Sequence, residues 1–162
     1  MNTYEIRMAE FTDLEDILAI YATARRFMEE NGNPTQWKDG YPDREMLAQD
    51  ILHRRLYVIF DNFGIHGVFF FAVMKDPTYD VIEGGSWRSD EPYGVIHRIA
   101  SDGSGGIFGA SLAFCKKQIS HIRIDTHRDN LPMQHVLEKH GFLPRGIIYV
   151  ADGTPRIAYD RV

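Results

Sequence analysis

The feature that most constrains this chain is an unbroken apolar run, Val68-Phe69-Phe70-Phe71-Ala72-Val73, inside a β-rich stretch from Ile65 to Met74. Successive side chains of a strand point to opposite faces, so a strand that is apolar at every position needs cover on both. This calls for a central strand with helices on each side. The chain is long enough to supply them: 162 residues, 18.7 kDa, is a common size for one domain with its own core. We read residues 1–162 as that one domain, because Gly and Pro are dispersed and no linker, repeat or low-complexity tract interrupts the sequence.

Composition narrows the classes further. With 44% hydrophobic and 25% charged residues, and no stretch near the ~20 apolar residues of a membrane span, the sequence is that of a globular protein without a membrane partner. A net charge of -5 works against binding a phosphate backbone, so nucleic acid is not expected. Cys115 is the single cysteine, which excludes an intrachain disulfide and a cysteine zinc site; with no basic, apolar leader over Met1–Glu10, the expected compartment is the cytoplasm.

Periodicity gives the element order β-α-α-β-β-β-α-β-α-β-β. Tyr4 to Ala9 alternates as a short strand, and Thr12-Asp13-Leu14-Glu15 offers a capping box for a helix with Leu14, Ile17, Leu18, Tyr21, Ala24 and Met28 on one face. Arg44 to Arg54 reads as a second helix burying Met46, Leu47, Ile51 and Leu52. Leu56–Phe60 and Ile65–Met74 form a hairpin across Asp61-Asn62-Phe63-Gly64, and Tyr93–Ala100 is a further strand. A glycine turn, Asp102-Gly103-Ser104-Gly105-Gly106, leads into a third helix, followed by a strand at His121–Thr126 and a short helix that Asn130 caps and Gly141 ends. Arg145–Val150 and Arg156–Asp160 close the chain as a hairpin turning at Asp152-Gly153.

Strand, glycine turn, helix is the arrangement that binds anions, because converging backbone amides and the helix dipole both favour negative charge. The turn is neither a Walker loop, lacking Gly-Lys-[Ser/Thr], nor a dinucleotide fingerprint, since Phe108 stands where the last glycine belongs. On its own it reads equally as a phosphate cradle and as a tight turn.

Two segments resemble the GNAT superfamily of acyl-CoA-dependent N-acetyltransferases. One is Val95-Ile96-His97-Arg98-Ile99-Ala100-Ser101 running into the glycine turn; the other is Ile122-Arg123-Ile124-Asp125-Thr126 followed by Asp129-Asn130, Met133, Leu137-Glu138-Lys139 and Gly141-Phe142. The resemblance implies an α/β fold with a mixed, mostly antiparallel central sheet of about seven strands flanked by helices, its fourth and fifth strands splayed apart. It implies acetyl-CoA as cofactor: backbone groups of Ile99, Ala100 and Ser101 would bond the pantetheine arm as an added strand, and Gly103, Ser104, Gly105, Gly106, Ile107 and Phe108 would hold the pyrophosphate. Asn130 and Gln134 either join them or merely cap the helix and face solvent. The sequence departs from the family pattern twice: Gly103 and Phe108 occupy the ends of the pyrophosphate loop, and Leu137 stands where many members carry a tyrosine acid.

The implied activity is transfer of acetyl from acetyl-CoA to a small-molecule primary amine by direct attack, with a catalytically weak or inactive acyl-CoA-binding regulatory protein as the alternative; a homodimer is left open. Attack needs a neutral amine, hence a base, and histidine with its ordinary pKa of about 6.5 suits that task. His97 leads as candidate, with a packed sheet histidine as the competing reading; His127 and Tyr149 follow. Trp37, Tyr41 and Trp87 fall in loops that wall the acceptor pocket in the family, and Glu83 is a carboxylate available to an ammonium group. Histidine spacings (His121, His127; His135, His140) meet no metal-ligand pattern, and Cys115 reads as core.

Overall fold

A computed structural model describes residues 3–162. The elements follow the expected order: β1 (Glu5–Met8), α1 (Leu14–Glu30), α2 (Arg44–Leu52), β2 (Leu56–Asp61), β3 (Gly64–Val73), β4 (Gly94–Ser101), α3 (Ile107–Lys116), β5 (Ile122–Thr126), α4 (Leu131–Lys139), β6 (Leu143–Tyr149) and β7 (Pro155–Arg161). The seven strands form one sheet in the order β1-β2-β3-β4-β5-β7-β6, antiparallel throughout except for β4 against β5. It is the mixed, helix-flanked sheet that the sequence implies.

The apolar run of β3 has cover on both faces. Val68 and Phe70 pack with Ile17, Ile20 and Tyr21 of α1 and Leu47 and Ile51 of α2, while Phe69 and Phe71 pack on the other side with Leu112 and Cys115 of α3 and Leu137 of α4. The start of α3 lies directly on the sheet: a Cβ at Gly67 would stand 2.8 Å from Ile107 Cγ2. Gly106 caps that helix at φ +80°, a left-handed conformation that glycine adopts without steric cost. No helix among the described residues is long and apolar enough to cross a membrane.

Two local expectations fail for stated reasons. The turn before α1 is organised by Asp13, not by the Thr12–Glu15 box: Asp13 is drawn into a two-bond pair with Arg7 (2.7 and 2.9 Å), and its carboxylate also accepts the Glu10 amide at 2.8 Å. Helix α2 ends at Leu52, which is 60% exposed, and buries Asp50 in its place because Asp50 pairs with Arg98 of β4.

That pair belongs to the main irregularity of the sheet. Between Val68↔Ala100 and Phe70↔His97 the register slips, so β4 carries one extra residue, and Arg98 adopts φ +50°. For a non-glycine residue such a backbone costs about 1–3 kcal/mol and must be held by its surroundings. The Tyr21 hydroxyl donates to the Arg98 carbonyl at 2.6 Å, and the guanidinium is bound by Asp50 at 2.7 and 3.1 Å over the Phe70 ring. Burial drives the Tyr21 hydroxyl pKa far above its ordinary value, so it stays a donor.

Tyr21→Phe leaves the Arg98 carbonyl without that donor and is expected to lower the unfolding free energy in urea by about 1–3 kcal/mol; a loss within error of zero would show that the bulge holds itself.

Candidate active site

Strands β4 and β5 pair only at Gly94↔Ile122 and Val95↔Arg123, and then diverge. The bulge bends β4 away while β5 remains paired with β7 along its whole length, Ile122↔Arg161 to Thr126↔Ile157. At the divergence lies a cleft of about 570 Å³. Its floor is Ile96, His97, Arg98 and Ile99 of β4 with Ile124, Asp125 and Thr126 of β5; Trp37 and Tyr41, Asn130 and Met133, and Arg156 of β7 form its walls. Beyond Val95 the edge of β4 that turns toward β5 has no partner strand, so it can accept an extended, amide-bearing guest.

His97 lies on the floor with Asp76 behind it: its Nε2 is 2.7 Å from Asp76 Oδ2. Asp76 is fixed independently, since its carboxylate accepts the Thr78 amide at 2.9 Å and its own amide donates to the Tyr93 hydroxyl at 2.8 Å. Burial pushes the Asp76 carboxyl pKa up, but the His97 bond and charge together with Thr78 outweigh it and hold the group below the usual carboxylate range. An ionised Asp76 requires the proton on Nε2, which leaves Nδ1 of the neutral ring as the acceptor. This is the geometry of an oriented base. Because Val95 and Arg123 are paired, the residues two further along, His97 and Asp125, share a sheet face; Asp125 Oδ2 accepts the hydroxyl of buried Tyr79 at 2.7 Å.

The glycine turn is braced from within. Ser101 Oγ accepts the Gly103 amide at 3.0 Å and donates to the Ser104 carbonyl at 3.2 Å, Asp102 Oδ1 accepts the Ser104 amide at 2.9 Å, and the Tyr4 hydroxyl donates to the Gly105 carbonyl at 2.7 Å. His66 ties the turn to the β2–β3 hairpin, with Nδ1 2.8 Å from Asp102 and Nε2 2.7 Å from Asp61; carboxylates at both nitrogens raise its pKa and favour the imidazolium. The Gly103 and Ser104 amides are thus engaged inside the turn, and the open anion position is the first turn of α3, after Gly106, whose amides have no intrahelical acceptor. Phe108 directs its ring between His140 and Phe142, with centroids at 5.2 and 6.0 Å.

The remaining candidates divide. Trp37 and Tyr41 wall the cleft, with Tyr41 accepting from Arg98 Nη1 at 3.4 Å. Asn130 caps α4 by accepting the Met133 amide at 3.2 Å, and its Nδ2 donates to Gln36 Oε1 at 3.0 Å; Gln134 donates to the carbonyls of His127 and Arg128. His127 accepts the Asp129 amide on Nδ1 at 3.0 Å and meets Thr35 at 3.4 Å; burial, then the charge of Arg156, lowers its pKa, and it does not line the cleft. Tyr149 and Glu83 bond each other at 2.9 Å on the surface, away from the cleft. Trp87 also lies outside it, stacked with Arg123 at 4.2 Å and donating to the Tyr79 carbonyl. The cleft carboxylates are Asp39, Asp43, Asp125 and Asp152, and Glu83 is not among them. Sequence reasoning missed Asp76, Tyr79, Asp125, Gln36 and Arg156 as members of the site; only Arg156 carried a signal, a charge at the inward position of the alternating strand Arg156-Ile157-Ala158.

No protein-family model and no curated protein matches the chain. Solved structures do. A GNAT-family acetyltransferase from Streptococcus agalactiae is 29% identical with a TM-score of 0.86, over 98% of this chain and 95% of that one. A GNAT-family acetyltransferase from Listeria monocytogenes (20%, TM-score 0.70, 98% and 94% covered) shares the fold. So does a Corynebacterium glutamicum protein named for histone acetyltransferase HPA2 and related acetyltransferases (18%, 0.64, 99% and 96%). The resemblance, whose motifs are specific from Val95 to Phe142, holds in structure over nearly the whole chain, as its topology implied.

Because the folded-state pKa of Asp76 is depressed, its contribution to stability is complete above about pH 5 and is lost as pH falls below about 4. Asp76→Asn is expected to flatten the acid limb of a Tm-versus-pH curve between pH 3 and 5; superimposable slopes for the two proteins would remove the His97–Asp76 bond from the account.

Proposed function

We propose that this chain, a protein of GNAT fold, is an acyl-CoA-dependent N-acetyltransferase that moves the acetyl group of acetyl-CoA to a small-molecule primary amine. The observation that carries the reading is His97, oriented by Asp76, on the floor of a cleft where β4 loses its partner strand. Acetyl-CoA would supply an activated thioester. The unpaired edge at Ile99, Ala100 and Ser101 fits a pantetheine arm, and the α3 amides from Gly106 to Phe108 fit its pyrophosphate. His97 Nδ1 would take the proton from the acceptor ammonium, leaving a neutral nitrogen to attack, while Asp76 stabilises the imidazolium so formed. Trp37 and Tyr41 would exclude water from the acceptor side.

One observation favours a second reading. Leu137, at the family's tyrosine position, is fully buried in the core, so no acid acts from there, and the protein could bind acyl-CoA as a regulatory module without turnover.

Saturating acetyl-CoA is expected to raise the Tm, and an unchanged Tm would remove both readings. Thiol release with a panel of amines separates enzyme from binding module. His97→Ala is expected to lower kcat/KM by ~100-fold while leaving the acetyl-CoA Kd within twofold; unchanged turnover would return His97 to a packing role.

A further inference from the structure

Acetyl transfer as derived above makes no use of Arg156. It enters the cleft from β7 and is only 7% exposed. Nη1 donates to Thr154 Oγ1 at 3.0 Å and to the Pro155 carbonyl at 2.9 Å; Nη2 reaches only the Gln36 carbonyl, at 3.5 Å. Among the described residues no carboxylate oxygen lies within 4.0 Å of it, whereas Arg7, Arg44, Arg98 and Arg145 each have such a partner. The nearest acid is Asp152, which also lines the cleft: it is bridged to Arg156 through Thr154, whose hydroxyl donates to its Oδ1, and the Thr154 bonds, helped by the Arg156 charge, lower its pKa, but the two form no direct ion pair. The other buried arginine without a carboxylate, Arg123, lies over the Trp87 and Tyr93 rings at 4.2 and 3.9 Å and outside the cleft. Arg156 has no aromatic face of this kind. A buried guanidinium with donors to spare and no carboxylate bonded to it directly is costly unless something supplies one.

Register places that cation relative to the reacting groups. Asp125 is opposite Ala158, and Arg156 lies two residues along β7, so the two side chains share a face one diagonal step apart, roughly 7–8 Å. His97 is on the same face of β4 across the cleft. The acceptor side therefore has Asp125 and His97, which suit an ammonium, and a short distance away a guanidinium with no directly bonded carboxylate, which suits one.

We propose, resting on the acetyltransferase reading, that the acceptor is an amino acid: a small molecule whose reacting amine and carboxylate lie a few bonds apart, with Arg156 as the residue that reads the carboxylate. A guanidinium is the fitting group, since it binds a carboxylate through two parallel N–H bonds. A bare amine leaves that cation without a directly bonded carboxylate and is discriminated against. The net negative charge of the chain does not oppose such an acceptor, because the ammonium and carboxylate of an amino acid with a neutral side chain cancel.

The test is acetyl-CoA-dependent thiol release with matched pairs, each free amino acid against its decarboxylated amine and its carboxamide. The wild type is expected to favour the carboxylate-bearing member by ~100-fold in kcat/KM, and Arg156→Met to abolish that preference through KM while leaving the acetyl-CoA Kd and turnover of the decarboxylated amines within about threefold. Arg156→Lys, which keeps the charge but not the fork, should retain part of it and serves where Arg156→Met does not fold. Equal use of both members by the wild type, or a loss that falls equally on both, overturns the proposal; so does a weakened acetyl-CoA Kd in both variants, which would assign Arg156 to the cofactor. If acetyl-CoA binds but no amine releases thiol, the catalytic reading fails and the proposal is read from Tm instead: with CoA present, amino acids must raise Tm more than their decarboxylated partners, and Arg156→Met must erase the difference.

Discussion

The hydrogen bond from Tyr21 to the Arg98 carbonyl, 2.6 Å long and buried between α1 and the sheet, is what the rest of the site depends on. A strand with an extra residue and a left-handed backbone has no intrinsic reason to keep that shape. It keeps it because one helix takes the carbonyl and the next takes the guanidinium through Asp50. With β4 bent there, its parallel partner cannot follow, and the two strands part after two paired positions. The opening that results is a consequence of helix packing on one face of the sheet, exploited on both.

The two faces divide the chemistry. Toward α3 and α4 the sheet is apolar, and the polar resource is the backbone: the free edge of β4 and the amides that open α3 behind Gly106. Toward α1 and α2 the resource is side chains: His97 on Asp76, Asp125 on Tyr79, Arg156 bridged to Asp152 through Thr154. Oriented backbone dipoles offer an anion partial positive charge at one place without adding formal charge to an acidic chain.

How much of this was legible follows from the range of the interactions involved. The run Val68–Val73 required two helical layers, and Asp152-Gly153 and Asp61–Gly64 marked their hairpins, because those signals are local. His97, Trp37 and Tyr41 reach the cleft because the strand and loop that carry them are themselves local features. Asp76 and Tyr79 were illegible: they act across gaps of 21 and 46 residues, on His97 and Asp125, from what reads as an irregular polar connection. Glu83 and Tyr149 were legible as polar groups near the right strands, yet they pair with each other outside the cleft. The Thr12 box failed for the same reason in miniature, as Arg7 recruits Asp13 and resets the helix start.

The extra residue in β4 also works as a change of parity. Strand side chains alternate between odd and even, and an uninterrupted β4 carrying Val95 and His97 on the α1 face would put Ile99 there too and turn Ala100 away. With the insertion, Ala100 packs among the α1 and α2 residues and Ile99 joins the α3 side, while neighbours His97 and Arg98 both face α1 and α2, His97 against the Phe70 ring and Arg98 over it. One residue of slippage thus lets a single strand turn two neighbouring polar side chains, His97 and Arg98, to one side and still return its next residues to the packing of the sheet.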